Sequence, residues 1–106
     1  MELVEGHMLG KAFLPGGNLA VYELKRKPFQ QFLVRFDNEQ KAAAALFEYK
    51  AVLTEPKFVA HFGGYAGLDG GKPVFLFQKG PFLAGIAGLA EKDADAVARD
   101  FASRIR

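Results

Sequence analysis

The stretch VFLFQKGPFLAGIAGL, which runs from Val74 to Leu89, decides the fold of this chain. It predicts two antiparallel strands, because two apolar runs flank the turn-forming residues Lys79-Gly80-Pro81. Phe75, Leu76 and Phe77 are consecutive, and side chains alternate between the two faces of a strand, so the first strand is apolar on both faces. The second, Phe82–Leu89, has no charged residue. Because an apolar surface of this kind rarely stays uncovered in a soluble monomer, we expect this hairpin to be buried.

The order of elements around this hairpin occurs twice. Leu19–Leu53 and Val74–Ile105 each read strand, turn, strand, helix, and both turns exit through Pro-Phe, at residues 28–29 and 81–82. Aligning each residue with the one 53 positions later gives few identities, so the evidence for a repeat is the order of the elements and not the identity of the residues. A duplication related by a pseudo-twofold axis and two independent hairpin–helix units both remain open.

The predicted fold is a single α+β domain that spans residues 1–106. We expect an antiparallel sheet of four to six strands with two helices on one face. Units 19–53 and 74–105 are joined by the segment Gly63–Gly71, whose five glycines in nine residues predict a loop. Further short strands are predicted at Lys11–Pro15 and Phe58–Phe62.

Composition excludes several classes of function. The chain has no cysteine, which rules out disulfides, thiolate catalysis and cysteine-based zinc sites. A net charge of +2 argues against nucleic acid as the main partner. No apolar run is long enough to span a bilayer. The start Met1-Glu2-Leu3-Val4-Glu5 does not resemble a signal peptide, so the chain is expected to be cytoplasmic, or exported if a leader was removed.

The predicted sheet leaves one apolar surface without a cover. If both helices lie on one face, Phe75, Phe77, Leu83 and Leu89 belong to whichever surface they miss. A second subunit, the N-terminal segment or a ligand are the three possible covers. We expect a homodimer that packs through this surface.

Candidate ligand-binding residues lie around the Gly63–Gly71 segment. His61, Tyr65 and Asp69 combine a base, a hydroxyl and a carboxylate, which are suited to acid–base or ligand contacts. Strand alternation does not bring all three together, and a structural role for His61 is the simpler interpretation. The segment leads into a strand, so it is not a phosphate-binding loop before a helix. We expect no catalytic residue, metal site or cofactor. No activated nucleophile can be identified in the sequence, and the two histidines are not spaced as metal ligands usually are.

The hairpin turns carry positive charge at Lys25, Arg26, Lys27 and Lys79. Together with Phe29 and Phe82 they resemble an edge that stacks RNA bases beside cationic groups. The simpler interpretation is a solvated turn with each phenylalanine packed into the core.

Two stretches resemble an uncharacterised bacterial domain family whose members are mostly exported or carried on lipoproteins. The two stretches are Val34-Arg35-Phe36-Asp37 with the Ala42–Tyr49 helix and the hairpin Phe77–Phe82, which follows the pattern F-x-K-G-x-Y/F. The last helix, Ala94–Ile105, also fits the closing helix of the family. Lys41–Ala44 departs from the family pattern, as does the N-terminal region. The resemblance implies this fold and a link to export, and it implies no activity.

The function expected from these features is a non-enzymatic binding or protein-interaction module that acts as a homodimer. The alternative is a small-molecule-binding or enzymatic domain with a pocket near Gly63–Gly71.

Overall fold

The computed structural model describes residues 2–4, 17–24, 26–60 and 63–105, with only the backbone given for 2–4. The strand predicted at Lys11–Pro15 lies outside these ranges. The elements are β1 (Glu2–Val4), β2 (Gly17–Leu24), β3 (Lys27–Arg35), α1 (Glu39–Val52), β4 (Thr54–Val59), β5 (Gly64–Asp69), β6 (Lys72–Lys79), β7 (Phe82–Ala87) and α2 (Glu91–Arg104).

All pairings between these strands are antiparallel, in the order β1-β2-β3-β7-β6-β5-β4. Six strands have six or more residues, and three-residue β1 extends one edge. β4 to β7 form a meander, and the β2–β3 hairpin joins it where β3 pairs with β7. The α+β class, the antiparallel sheet and both helices are therefore confirmed.

The glycine-rich segment differs from the prediction, because most of it is strand β5. Only Gly70 and Gly71, with φ of 60° and 84°, form a turn into β6. Gly64 lies so close to β6 that a Cβ there would collide with the backbone oxygen of Leu76. Gly64 therefore allows β5 and β6 to approach closely, in a segment whose composition predicted a loop.

The two helices lie on opposite faces of the sheet, and the prediction of both on one face is wrong. α1 packs on one side with Phe32, Val74, Leu76 and Leu83, among others. α2 packs on the other side with Phe75, Phe77, Ala84 and Ile86, among others. Alternate residues of β6 therefore feed two separate cores. This arrangement explains why Phe75, Leu76 and Phe77 are all apolar.

The four residues predicted to form a dimer interface are part of these cores. Phe75 and Phe77 are each 1% exposed, Leu83 is fully buried and Leu89 is 2% exposed. Their exposure on an uncovered face was therefore a wrong prediction, because each helix covers the face that the other leaves. A homodimer itself stays a prediction.

The repeat is one of element order. β2-β3-α1 and β6-β7-α2 are both present, and β3 and β7 are antiparallel neighbours. A twofold rotation about an axis normal to the sheet would exchange the two hairpins. This rotation keeps each face of the sheet on its own side, so it would require both helices to lie on one face, whereas they lie on opposite faces. No rotation therefore superimposes the two complete units.

Local signals explain the helix positions. Asn38 caps α1, since its Oδ1 accepts a hydrogen bond from the backbone nitrogen of Lys41 at 2.9 Å. Pro56 follows α1 and lies in β4, an edge strand where a missing N–H is tolerated. Within the described ranges, neither helix has the length and apolar character needed to cross a bilayer.

Candidate functional site

The structure separates the three predicted ligand-binding residues. His61 lies outside the described residues. Tyr65 and Asp69 are at opposite ends of β5 and point to the α1 side of the sheet, as their spacing of four requires. They take part in different groups of side chains, described next, so they do not form one site.

Tyr65 belongs to an aromatic surface. Its ring centroid lies 6.3 Å from that of Phe47 on α1 and 5.5 Å from that of Phe58 on β4. The Nζ atom of Lys50 lies 4.9 Å from the same centroid, a cation–π contact. Phe47 and Phe58 are 57% and 58% exposed. We call these four residues the aromatic patch.

Asp69 is bound by a tyrosine from the opposite layer. The hydroxyl of Tyr49, on α1, donates a hydrogen bond to Oδ2 of Asp69 at 3.0 Å. Tyr49 has no exposed surface, and its ring stacks on Phe32 at 6.3 Å. Burial raises the pKa of the Tyr49 phenol well above its ordinary value, and the charge of Asp69 and their hydrogen bond raise it further. Tyr49 is therefore a hydrogen-bond donor to this carboxylate rather than a base.

Asp69 and Tyr49 also line a small cavity of about 260 Å³ at the end of the β5–β6 hairpin. Lys72 and Gln30 contribute polar groups to the same cavity. We call this the polar cavity. It contains one of the three predicted ligand-binding residues, Asp69, and lies beside the predicted glycine-rich segment.

A larger groove lies on the opposite face, between the β2–β3 hairpin and α2. It arises because α2 packs mainly over β6 and β7, so that β2 and β3 are only partly covered on that side. The groove consists of two adjoining cavities of about 440 Å³ each, which share Tyr22, Gln31 and Arg104. Apolar side chains form most of the remaining lining: Leu24, Phe29, Ala96, Val97, Leu33, Phe82, Phe101 and Ile105. Two acidic residues, Glu23 and Asp100, line the cavity that Leu24, Phe29 and Val97 share. We call it the α2 groove.

Few polar groups converge on the α2 groove, and they are placed at its rim. Arg104 Nη2 lies 3.0 Å from Oδ2 of Asp100, and both side chains are largely exposed. The Tyr22 ring lies 5.7 Å from that of Phe29, which is buried in the floor. An apolar cleft with a small number of polar groups is the usual form of a small-molecule site.

The hairpin turns show no paired basic edge among the described residues. Phe29 is buried and Phe82 is partly buried against the α2 core, as the simpler interpretation expected. Lys79 Nζ donates a hydrogen bond at 2.6 Å to the carbonyl oxygen of Ala102, near the end of α2. This lysine therefore has a structural role at a helix C-terminus. In the same part of the chain, no group of three or more His, Asp or Glu side chains is arranged to hold a metal.

Sequence reasoning missed the α2 groove and the Tyr49–Asp69 pair. The groove depends on which strands α2 covers, which no local pattern encodes. The pair joins residues from a helix and from a segment predicted as loop. A tyrosine within the apolar stripe of α1 was the available signal, because a buried phenol needs a hydrogen-bond acceptor.

Comparison of this chain with protein-family models, curated proteins and solved structures finds no significant match. The resemblance to an exported bacterial family therefore stays a prediction.

Proposed function

We propose that this protein is a non-enzymatic binding domain and that its main ligand site is the α2 groove. The observation that carries the proposal is that two adjoining cavities share three polar residues over an apolar floor. Each cavity has a volume of about 440 Å³, within the range of small-molecule sites. The ligand class that fits is an amphipathic molecule with an apolar body and an anionic end.

The apolar body is matched by the floor. Phe29 and Phe101 are mostly buried in the α2 core and present their remaining surface to the groove. Covering this surface with a hydrocarbon chain removes apolar area from water at a gain of roughly 25 cal/mol per Å².

The anionic end is matched by Arg104. A guanidinium offers five N–H donors in a planar fork, and Asp100 engages it through Nη2. A carboxylate in the cavity lined by Leu33, Phe82, Phe101 and Ile105 therefore has donors from the same side chain, while Tyr22 and Gln31 add a hydroxyl and an amide. Arg104 is the one charged residue in the described lining of this cavity, whereas Glu23 and Asp100 line the adjoining one.

Calorimetric titration tests this proposal, with decanoate kept below its micelle concentration and decanol kept below its solubility limit. We expect Arg104→Gln to weaken decanoate binding about tenfold and to leave decanol binding unchanged. Val97→Trp, which fills the groove, should abolish binding of both. Arg99→Gln is the matched control, because Arg99 forms the same i,i+4 pair on the same helix, with Asp95 at 2.8 Å.

The proposal is wrong if the wild-type protein binds neither compound. It is also wrong if Arg99→Gln weakens decanoate binding as much as Arg104→Gln.

The aromatic patch supports a second proposal, that the protein is a homodimer. Five large apolar side chains of the described residues are exposed, and three of them, Phe47, Val52 and Phe58, lie on α1 and β4. A twofold interface must be self-complementary. Exposed Glu48 lies next to Phe47 in the chain and Lys50 covers Tyr65, so charges of both signs lie on α1 beside the exposed rings. Sedimentation of the wild-type protein tests this proposal.

A further inference from the structure

We propose that the polar cavity is a second binding site, which takes a linear molecule with an ammonium group at one end and a carboxylate at the other. The cavity lies on the α1 side of the sheet, opposite the α2 groove. It is lined by Gln30, Tyr49, Asp69, Lys72, Val74 and Ala87. The inference does not depend on the proposed function, because the two sites share no residue.

The cavity carries opposite charges at its two ends. Asp69 lies on β5, where the hydroxyl of Tyr49 donates to its carboxylate. Lys72 is the residue of β6 that pairs with Asp69 across the two strands. Its side chain extends away toward β3, where Nζ donates a hydrogen bond to Oε1 of Gln30 at 3.4 Å. The carboxylate is therefore at the β5 side and the ammonium is at the β3 side.

The floor between these charges is apolar. Val74 on β6 pairs with Ala87 on β7, and Ala87 pairs with Gln30 on β3. Both floor residues are buried, at 3% and 2% exposure. A short aliphatic spacer suits this floor, whereas a polar spacer would lose its hydration there.

The separation of the charges sets the length of the ligand. β7 and β6 lie between β3 and β5. Neighbouring strands are about 4.8 Å apart, so three spacings separate β3 from β5 by about 14 Å. Because the Asp69 carboxylate and the Lys72 ammonium both line the cavity between these strands, the two charges are on the order of 10 Å apart. Hydrogen bonds occupy part of this length at each end. An ω-amino acid with a spacer of several methylenes therefore fits better than an α-amino acid.

Charge complementarity fixes the orientation of the ligand. Its carboxylate accepts hydrogen bonds from Lys72 and from the amide nitrogen of Gln30, and its ammonium donates to Asp69. A carboxylate has about four acceptor positions, so the ligand ammonium adds to the contacts that Asp69 already makes, the one from the Tyr49 hydroxyl among them. The fixed Tyr49 contact orients the carboxylate before the ligand arrives.

Titration calorimetry with ε-aminocaproate tests the site, with caproate, hexylamine and glycine as comparison probes. We expect ε-aminocaproate to bind at least about tenfold tighter than each of the other three. Asp69→Asn and Lys72→Met should each weaken its binding about tenfold. The asparagine keeps an oxygen that accepts from Tyr49, so this variant removes the charge while the contact remains.

Two further measurements keep the test decisive. In the wild-type protein, amide NMR signals of Gln30, Asp69 and Lys72 should shift when ε-aminocaproate is added, which requires no variant to fold. Decanoate binding to Asp69→Asn should equal that of the wild type, which separates this site from the α2 groove. The proposal is overturned if caproate binds as tightly as ε-aminocaproate, or if no binding occurs at about 10 mM ligand.

Discussion

At the scale of single residues, the Tyr49–Asp69 hydrogen bond links the helical layer to the sheet. The phenol has no exposed surface, and its partner is a carboxylate at the end of β5. Removing the hydroxyl leaves that carboxylate without this donor, and hydrogen bonds to charged groups are worth about 2 kcal/mol. Ring stacking on Phe32 survives in a phenylalanine variant. Tyr49→Phe therefore isolates the hydroxyl.

Tyr49→Phe should lower the free energy of unfolding at neutral pH by about 2 kcal/mol. The difference should shrink above about pH 10, where an unfolded tyrosine ionises while the buried phenol keeps its proton. The unfolded state then binds fewer protons, so wild-type stability falls with rising pH by up to about 1.4 kcal/mol per pH unit from this group. Urea denaturation of both proteins at about pH 9 and about pH 11 measures this change. An equal difference at both pH values would contradict the assignment.

The sequence identified Asp69 as a candidate residue but gave it the wrong companions. It was grouped with His61 and Tyr65 because they are close in the chain. Proximity in space instead comes from α1 crossing the sheet, which brings Tyr49 over the end of β5. Sequence distance carries no information about a contact between two layers.

At the scale of elements, β5 shows how composition misleads. Its glycines suggested a loop because glycine is depleted in strands. In the structure they serve close packing, and they do so to different degrees. A Cβ on Gly64 would meet the rigid backbone of Leu76, whereas a Cβ on Gly67 would first meet the Leu53 side chain at 3.1 Å.

We therefore expect Gly64→Ala to destabilise the fold by about 2–3 kcal/mol, since two paired strands must move apart. Gly67→Ala is the matched control in the same strand. It should cost clearly less than Gly64→Ala, because its nearest neighbours in Leu53 and Thr54 lie 3.1–3.2 Å away and need to move only slightly, and alanine loses less backbone entropy on folding than glycine. Chemical denaturation of the two variants gives both values. Equal costs would show that the β5–β6 approach is not the constraint.

Most other elements could be predicted because their signals are local. The sequence predicted a helix after the second strand of the Leu19–Leu53 unit, and the structure has α1 at Glu39–Val52. The hairpin after Val74 followed from two apolar runs and a Gly-Pro turn. β4 was predicted as Phe58–Phe62 but is Thr54–Val59, because Pro56 ends the helix and still fits an edge strand.

At the scale of the whole molecule, the placement of the helices was the part that sequence patterns could not supply. The residues of β6 correctly indicated that both faces are covered. They did not indicate which elements cover each face, because the face on which a helix packs is determined at the point where the chain leaves the sheet. Gly88, with φ of 105°, is one such point, after β7. The two helices together supply the cover that a second subunit had been expected to provide.

Self-association, if it uses the aromatic patch, should depend on its exposed rings. We expect the wild-type chain to sediment as a dimer at micromolar concentration, and Phe47→Ser combined with Phe58→Ser to sediment as a monomer. Val21→Ser is the control, because Val21 is 66% exposed on β2, outside the patch. Sedimentation velocity over a range of concentrations distinguishes these outcomes. A monomeric wild-type chain would refute the dimer.

The position of β7 between β3 and β6 has a consequence for the nascent chain. During synthesis, β3 leaves the ribosome well before the strand that covers its edge. Until β7 follows, that edge presents unpaired N–H and C=O groups, and α1 has no complete sheet to pack on. We therefore expect the edge of β3 to be a point of misassociation between nascent chains until the β6–β7 hairpin has been translated.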